Sequence, residues 1–294
     1  MGALFSGRGD SEVRKPRVAG SFYPSSPSSL KTMVDGFLAN AEKQVINGKL
    51  IALVVPHAGY VFSGQVAANA YRQIEGMHFD SIVLVGVSHG VGFRGASVYR
   101  SGKYETPLGS VEIDRDLAEE LMSRSKFFTF QPVAHNEEHS LEVQLPFLQQ
   151  VLPDSKIVPI LTRDWSEAVS SAISSALAET IDGKNVLMIA SSDMSHYPAY
   201  DEAVKADRAT IAALKTMNPD VVREKLDEYL QRGVRELHCM LCAREAVLAV
   251  MSAAKKLGAD SIKILKYANS GDTTMGDKYR VVGYLAAAIY QSNA

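Results

Sequence analysis

The sequence has only two cysteines in 294 residues, Cys239 and Cys242, three positions apart. A disulfide-stapled secreted fold needs more of them, spread along the chain. There is no run of the roughly 18 consecutive apolar residues that a membrane helix requires. The longest apolar run, 281–290, is short, contains Gly283 and reads as a buried strand. Excess charge of either sign is also missing. Lys plus Arg number 31 and Asp plus Glu 33, a formal net charge of −2. That balance gives no general electrostatic footprint for nucleic acid or an anionic membrane, so neither is expected as a partner. The first residues lack the apolar segment of a signal peptide, and the expected compartment is the cytoplasm. They do carry a short myristoylation-like pattern, Gly2 with Ser6, and an Arg8-Gly9-Asp10 triplet that reads as solvated tail. No internal repeat, low-complexity segment or Pro/Gly/Ser-rich linker divides the chain.

What is present is ordinary globular composition, 46% hydrophobic and 22% charged, at a length that can bury a large core. Apolar, β-branched runs recur at 51–55, 81–87, 156–161, 185–190, 262–267 and 281–289. They show little alternation, as expected for strands covered on both faces. Helical spacing lies between them, at 29–44, 64–74, 114–125, 138–151, 167–180, 200–216, 219–230 and 242–257. This alternation predicts one α/β domain of three layers over 17–294. Its sheet is mainly parallel with helices on both faces, behind a flexible tail over 1–16. The Gly-rich stretch 86–109 reads as a loop or a small antiparallel excursion.

The seven histidines are informative by position. His57, His89 and His196 each stand just beyond the C-terminal end of an expected strand. In an open parallel sheet, ligands gather at that edge. Small neighbours, as in His57-Ala58-Gly59 and His89-Gly90, permit close approach of backbone and ligand. Asp193, three residues before His196, has the chemistry to orient a histidine or act as a base. Cys242 is expected at the start of a helix, where the macrodipole favours a thiolate. The Cys239-x-x-Cys242 pair reads as a metal site, a thiol–disulfide pair or two buried thiols. His135-Asn136-Glu137-Glu138-His139 fits a metalloprotease pattern, H-x-x-E-H, without a clear third ligand. Alternatively, Glu138, His139 and Glu142 share one helix face as acid, base or supporting groups. His238 reads as a structural residue flanking the helix, and His78 as solvent-facing.

Taken in order, Pro56-His57-Ala58-Gly59-Tyr60, Ser88-His89, Glu138-His139-Ser140-x-Glu142, Ser191-Ser192-Asp193-x-x-His196 and Cys242 resemble the Memo family. So do the stretch from Arg17 to Pro24 and that from Tyr267 to Asp272. The resemblance runs from about Arg17 to Tyr290 and is strongest to the prokaryotic AmmeMemoRadiSam-type branch. It implies a fold similar to the LigB-like class III extradiol dioxygenases, and a functional link to a radical-SAM protein. It also implies His57, His89 and Cys242 as ligands of a divalent metal, with Fe(II) first and zinc or copper as alternatives. His196, Asp193 and His139 would line the same pocket as catalytic groups, His196 handling protons. Cys239 is outside the pattern. A cysteine in place of the dioxygenases' carboxylate ligand leaves two functions open. One is a metal-dependent oxidoreductase acting on a small molecule. The other is a non-enzymatic protein that binds a peptide or partner in the same cleft.

Overall fold

Eleven strands and nine α-helices alternate along the described part of the computed structural model, which covers residues 13–164 and 166–293. The order is β1 (Val13–Arg14), α1 (Pro27–Ala39), β2 (Gly48–Val55), α2 (Tyr60–Ile74), β3 (Ser81–Val87), β4 (Ala96–Val98), β5 (Lys103–Thr106) and β6 (Gly109–Glu112). Then come α3 (Arg115–Ser123), β7 (Phe128–Thr129), α4 (Pro132–Asn136), a 3-10 turn (Glu142–Gln144), α5 (Leu145–Val151), β8 (Lys156–Thr162), α6 (Glu167–Ile181) and β9 (Val186–Ser191). The chain closes with α7 (Tyr200–Leu214), α8 (Pro219–Leu230), α9 (Arg244–Lys256), β10 (Ser261–Asn269), a second 3-10 turn (Ser270–Asp272) and β11 (Gly283–Ser292). The Gly2 pattern, the Arg8-Gly9-Asp10 triplet and most of the expected tail lie outside the described residues. The last part of that tail belongs to the fold: β1 pairs with β5, and Arg14 is buried.

One sheet of eight strands runs β10-β11-β2-β9-β3-β8-β4-β7. Its centre, β2-β9-β3-β8, is parallel, and antiparallel pairings flank it on both sides. Side chains alternate between two apolar faces. Ala52, Val54, Val83, Val85, Met188 and Ala190 pack into one core with α3, α6, α8 and α9. Leu53, Val55, Ile82, Leu84, Leu187 and Ile189 pack into the other with α1, α2 and α5. Both sides of the pleat are therefore apolar, which is why the strands read as unbroken hydrophobic runs. The result is a single three-layer α/β domain. The Gly-rich excursion supplies β4 to the large sheet, then an antiparallel hairpin, β5–β6, that joins β1 in a small three-stranded sheet. No helix among the described residues is long and apolar enough to cross a membrane.

The expected helix over 138–151 is a correction. Pro146 sits in the first turn of α5, where its missing N–H costs nothing, and the helix starts there. Glu138 and His139 lie in the loop before the 3-10 turn, so they do not share a helix face with Glu142.

Candidate metal centre

The sheet order decides the site. Strand β9 lies between β2 and β3, and all three are parallel, so their C-terminal ends form one edge. His57 follows β2 by two residues, His89 follows β3 by two, and Asp193 follows β9 by two. Cys242 comes from the turn before α9, tied in by its N–H to the Asp193 carbonyl at 3.2 Å. One donor atom from each of His57, His89 and Cys242 lies within 4.8 Å of the others. The Cys242 Sγ is 3.1 Å from His57 Nε2.

The hydrogen bonds behind these residues fix which nitrogen faces the centre. Ser191 Oγ has one hydrogen, which goes to the Ser140 carbonyl at 2.6 Å. It must then accept from Gln144 Nε2 at 2.8 Å and from His57 Nδ1 at 3.0 Å. His57 therefore carries its proton on Nδ1, and its Nε2 lone pair points at Cys242. His89 Nδ1 is 2.9 Å from the Glu138 carboxylate, which leaves its Nε2 free in the same way. A carboxylate or hydroxyl behind each imidazole is the usual support of a metal-ligating histidine. Burial opposes ionisation of Glu138. The hydrogen bond and charge of His89, with His139 and the His89 backbone N–H, nevertheless carry its pKa down to about 2.

Other cleft groups are shifted by desolvation. Burial, with the neighbouring imidazoles adding to it, holds His57 well below its usual pKa and leaves it neutral. His139 is lowered to about 4 by burial, with Glu138 opposing. Its ring stacks on His89 at 4.6 Å and meets Phe22 at 4.7 Å. Burial raises Asp193 to about 7, against the His57 N–H that its carboxylate accepts at 2.7 Å. Cys242 corrects the expectation of a lowered thiol pKa. Desolvation, then the Asp193 charge, pushes it well above the usual value, and Ala243 separates it from the first helical residue, Arg244. Without a cation beside it this sulfur is a thiol.

His196 lines the same cleft as His57, His89, His139 and Asp193, a space of about 580 Å³. Its Nδ1 donates to the Met194 carbonyl at 3.0 Å, so Nε2 is the unprotonated nitrogen. Burial lowers its pKa below the usual value. It is not among the residues whose donor atoms cluster.

The remaining sequence candidates go elsewhere. His135 is a core histidine, held between Ser97 Oγ at 2.9 Å and Tyr104 Oη at 2.7 Å, with burial lowering its pKa to about 3. The protease-like spacing therefore has no common site. Glu142 is fully buried and accepts from Arg14, from Tyr23 and from the backbone N–H of Arg17 and Val18. It anchors the 14–23 segment and does not line the cleft. Cys239 lies 3.9 Å from the Met194 carbonyl, with burial raising it to about 12. His78 is exposed beside Asp80, and His238 is exposed. Sequence reasoning did not single out Ser191 as the anchor of His57, or Arg14 and Asp207 as buried charges. The last two sit among other charged residues, Arg14 beside Lys15 and Asp207 beside Arg208, so no local pattern marked either as buried.

A family model described as Memo-like protein matches residues 14–288. The chain belongs to the Memo family. Relatives described as MEMO1 family proteins include one from Aquifex aeolicus, 38% identical and covering 93% of this chain and 97% of that one. Another, from Thermotoga maritima, is 37% identical over 94% of this chain and 99% of its own. A third, from Caldivirga maquilingensis, is 35% identical over 95% and 99%. The fold is similar to that of an uncharacterized protein from Escherichia coli K12, at a TM-score of 0.55 and 18% identity. That likeness covers 82% of this chain and all of the other. The Memo match begins at Arg14, the first buried side chain among the described residues.

Proposed function

We propose that this Memo-family protein is a metal-dependent oxidoreductase, with His57, His89 and Cys242 holding one divalent metal, Fe(II) first and zinc or copper as alternatives. The observation that carries the reading is the aim of the donors. His57 presents an unprotonated Nε2 to a thiol, His89 offers a donor atom within 4.8 Å of both, and each ring is hydrogen-bonded through Nδ1 from behind. Donor separations in a tetrahedral N₂S site are about 3.3–3.6 Å, so small side-chain movements close the set. Metal binding would replace the thiol proton of Cys242, which explains a thiol placed against an imidazole instead of in water. Such a metal supplies Lewis acidity and, for iron or copper, electron transfer, with positions left open for ligand.

The surrounding residues do the rest. Phe22, Phe62 and Tyr284 give the cleft an apolar, aromatic part of its lining. His196 Nε2 faces it as a proton acceptor. Asp193, poised near neutrality, holds or releases a proton at its carboxyl, and His139 packs against the His89 ring. A general base of this kind contributes about 10²–10⁴-fold.

Elemental analysis of protein purified without oxygen and O₂ uptake after iron loading test the reading. One bound metal per chain and uptake that depends on an organic substrate are expected. His196→Ala should keep the metal and lose turnover by roughly 10²–10⁴-fold. Metal loss in that variant would make His196 a ligand. Bound metal without uptake across catechols and peptides would leave a binding protein in place of an enzyme.

A further inference from the structure

The outer half of the cleft carries a second constellation that the metal chemistry does not use. Tyr197, directly after His196, has φ of 75°, a left-handed conformation that a bulky residue rarely adopts. Its N–H is held by the Val281 carbonyl at 2.7 Å. The His196 and His238 rings meet the tyrosine ring edge-to-face at 5.4 and 5.2 Å. The Arg280 guanidinium lies over its face, 4.1 Å from the centroid. Strain kept at a residue beside a cleft is a pointer to function.

Among the described residues, Arg280 is the only arginine or lysine lining this cleft. Among the described residues its guanidinium has no carboxylate partner, and the Tyr197 hydroxyl has no hydrogen-bond partner. The nearby Asp277 accepts from the backbone N–H groups of Tyr279 and Arg280 and makes no ion pair with the guanidinium. A planar fork of donors, pre-oriented by stacking and left unpaired, matches a carboxylate. The same cleft has apolar and aromatic lining, with Phe22, Phe62, Val282 and Tyr284, besides the histidines and Asp193.

We propose that Tyr197 and Arg280 form an anion-recognition element, and that the cleft takes a small organic carboxylate with a flat apolar body, its carboxylate outermost. The proposal rests on reading the cleft as a substrate site, and names the substrate class for it. Arg280 binds the carboxylate through paired N–H donors, and the Tyr197 hydroxyl adds a third. Stacking on Tyr197 keeps the guanidinium from collapsing onto Asp277.

The test pairs isosteres on the full chain after chelator treatment, so that no metal can hold the carboxylate. Benzoate against benzamide, and 2-naphthoate against 2-naphthamide, are titrated by calorimetry or ligand-observed NMR. Charge-assisted hydrogen bonding predicts roughly tenfold or greater preference for each carboxylate. Arg280→Gln, at an exposed position, should bring the preference to within about threefold. Tyr197→Phe should weaken the carboxylates and leave the amides unchanged. Equal binding of acid and amide by the parent, or a preference that survives in Arg280→Gln, overturns the assignment. A carboxylate preference in protein that takes up no metal would overturn the metal reading alone.

Discussion

At the scale of single residues, the site is an exercise in proton placement. Ser191 has one hydrogen to give and gives it to a carbonyl, and that alone fixes the His57 tautomer. Ser191→Ala should therefore let the ring rotate or switch tautomer. Loss of such a supporting partner costs about 10–100-fold in metal affinity. A competition titration against a chromophoric chelator reads this directly, and affinity unchanged within twofold would show that packing alone holds the ring. The two cysteines separate in the same assay. Cys242→Ser replaces a thiolate donor with a hydroxyl that stays protonated, so metal affinity should collapse while unfolding behaviour is kept. Cys239→Ser should bind as the parent does, since its sulfur is outside the donor cluster. Equal losses would favour a paired Cys-x-x-Cys site. The histidines were legible because strand ends announce themselves by their apolar runs. Ser191 was not, because a serine in a buried strand has no pattern until its partners, Ser140 and Gln144, arrive from 51 and 47 residues away.

At the scale of elements, what the sequence showed well was the long apolar strands, and what it missed was the irregular backbone between them. The segment 138–151 has helical spacing, yet Glu138 is needed as a carboxylate behind His89. Its Oε1 also accepts from the His139 and Ser140 N–H groups, a pattern that replaces a helical start. Strand β1 was invisible for a related reason. Two residues cannot show a period, and Arg14 reads as a tail residue until its partners are known. Its guanidinium reaches Glu142 and the carbonyls of Glu138 and His135, and so clamps the loop that carries Glu138. Arg14 and Glu142 are both fully shut from solvent. Removing one partner of such a pair leaves an uncompensated charge, at a cost of about 3–5 kcal/mol. Arg14→Met should lower stability by that amount in denaturant unfolding, and should loosen metal binding through Glu138. A loss under about 1 kcal/mol would mean that water enters and solvates Glu142.

At the scale of the whole molecule, the parallel centre of the sheet builds the edge that carries the candidate metal centre, and the antiparallel flank β10–β11 borders the cleft beside it. Asp207, on α7, ties the two together. Its carboxylate accepts from the Ser195 N–H at 3.0 Å, in the loop of Asp193 and His196, and from the Tyr267 hydroxyl at 2.8 Å, on β10. It packs so closely on Gly283 of β11 that a Cβ there would stand 2.0 Å from Asp207 Oδ2. Burial raises Asp207 to about 6, with the Tyr267 and Ser195 hydrogen bonds opposing. The folded chain thus binds more protons at this site than the unfolded chain between about pH 4 and 6. Its contribution is complete below the unfolded value and is lost as pH rises through about 6. His135 works in the opposite sense: lowered to about 3, it removes stability as pH falls below about 6.5. The two partly cancel between pH 4 and 6, so the parent's profile alone reveals neither. Asp207→Asn isolates one of them, because the amide still accepts from Ser195 and can donate to Tyr267, but does not titrate. Relative to the parent, the variant should gain roughly 3 kcal/mol between about pH 4 and pH 6, and then hold level. Paired denaturant unfolding at stepped pH measures that difference. A pH-independent difference would place the Asp207 proton equilibrium at its unfolded value, and the carboxylate would then be solvated through the cleft.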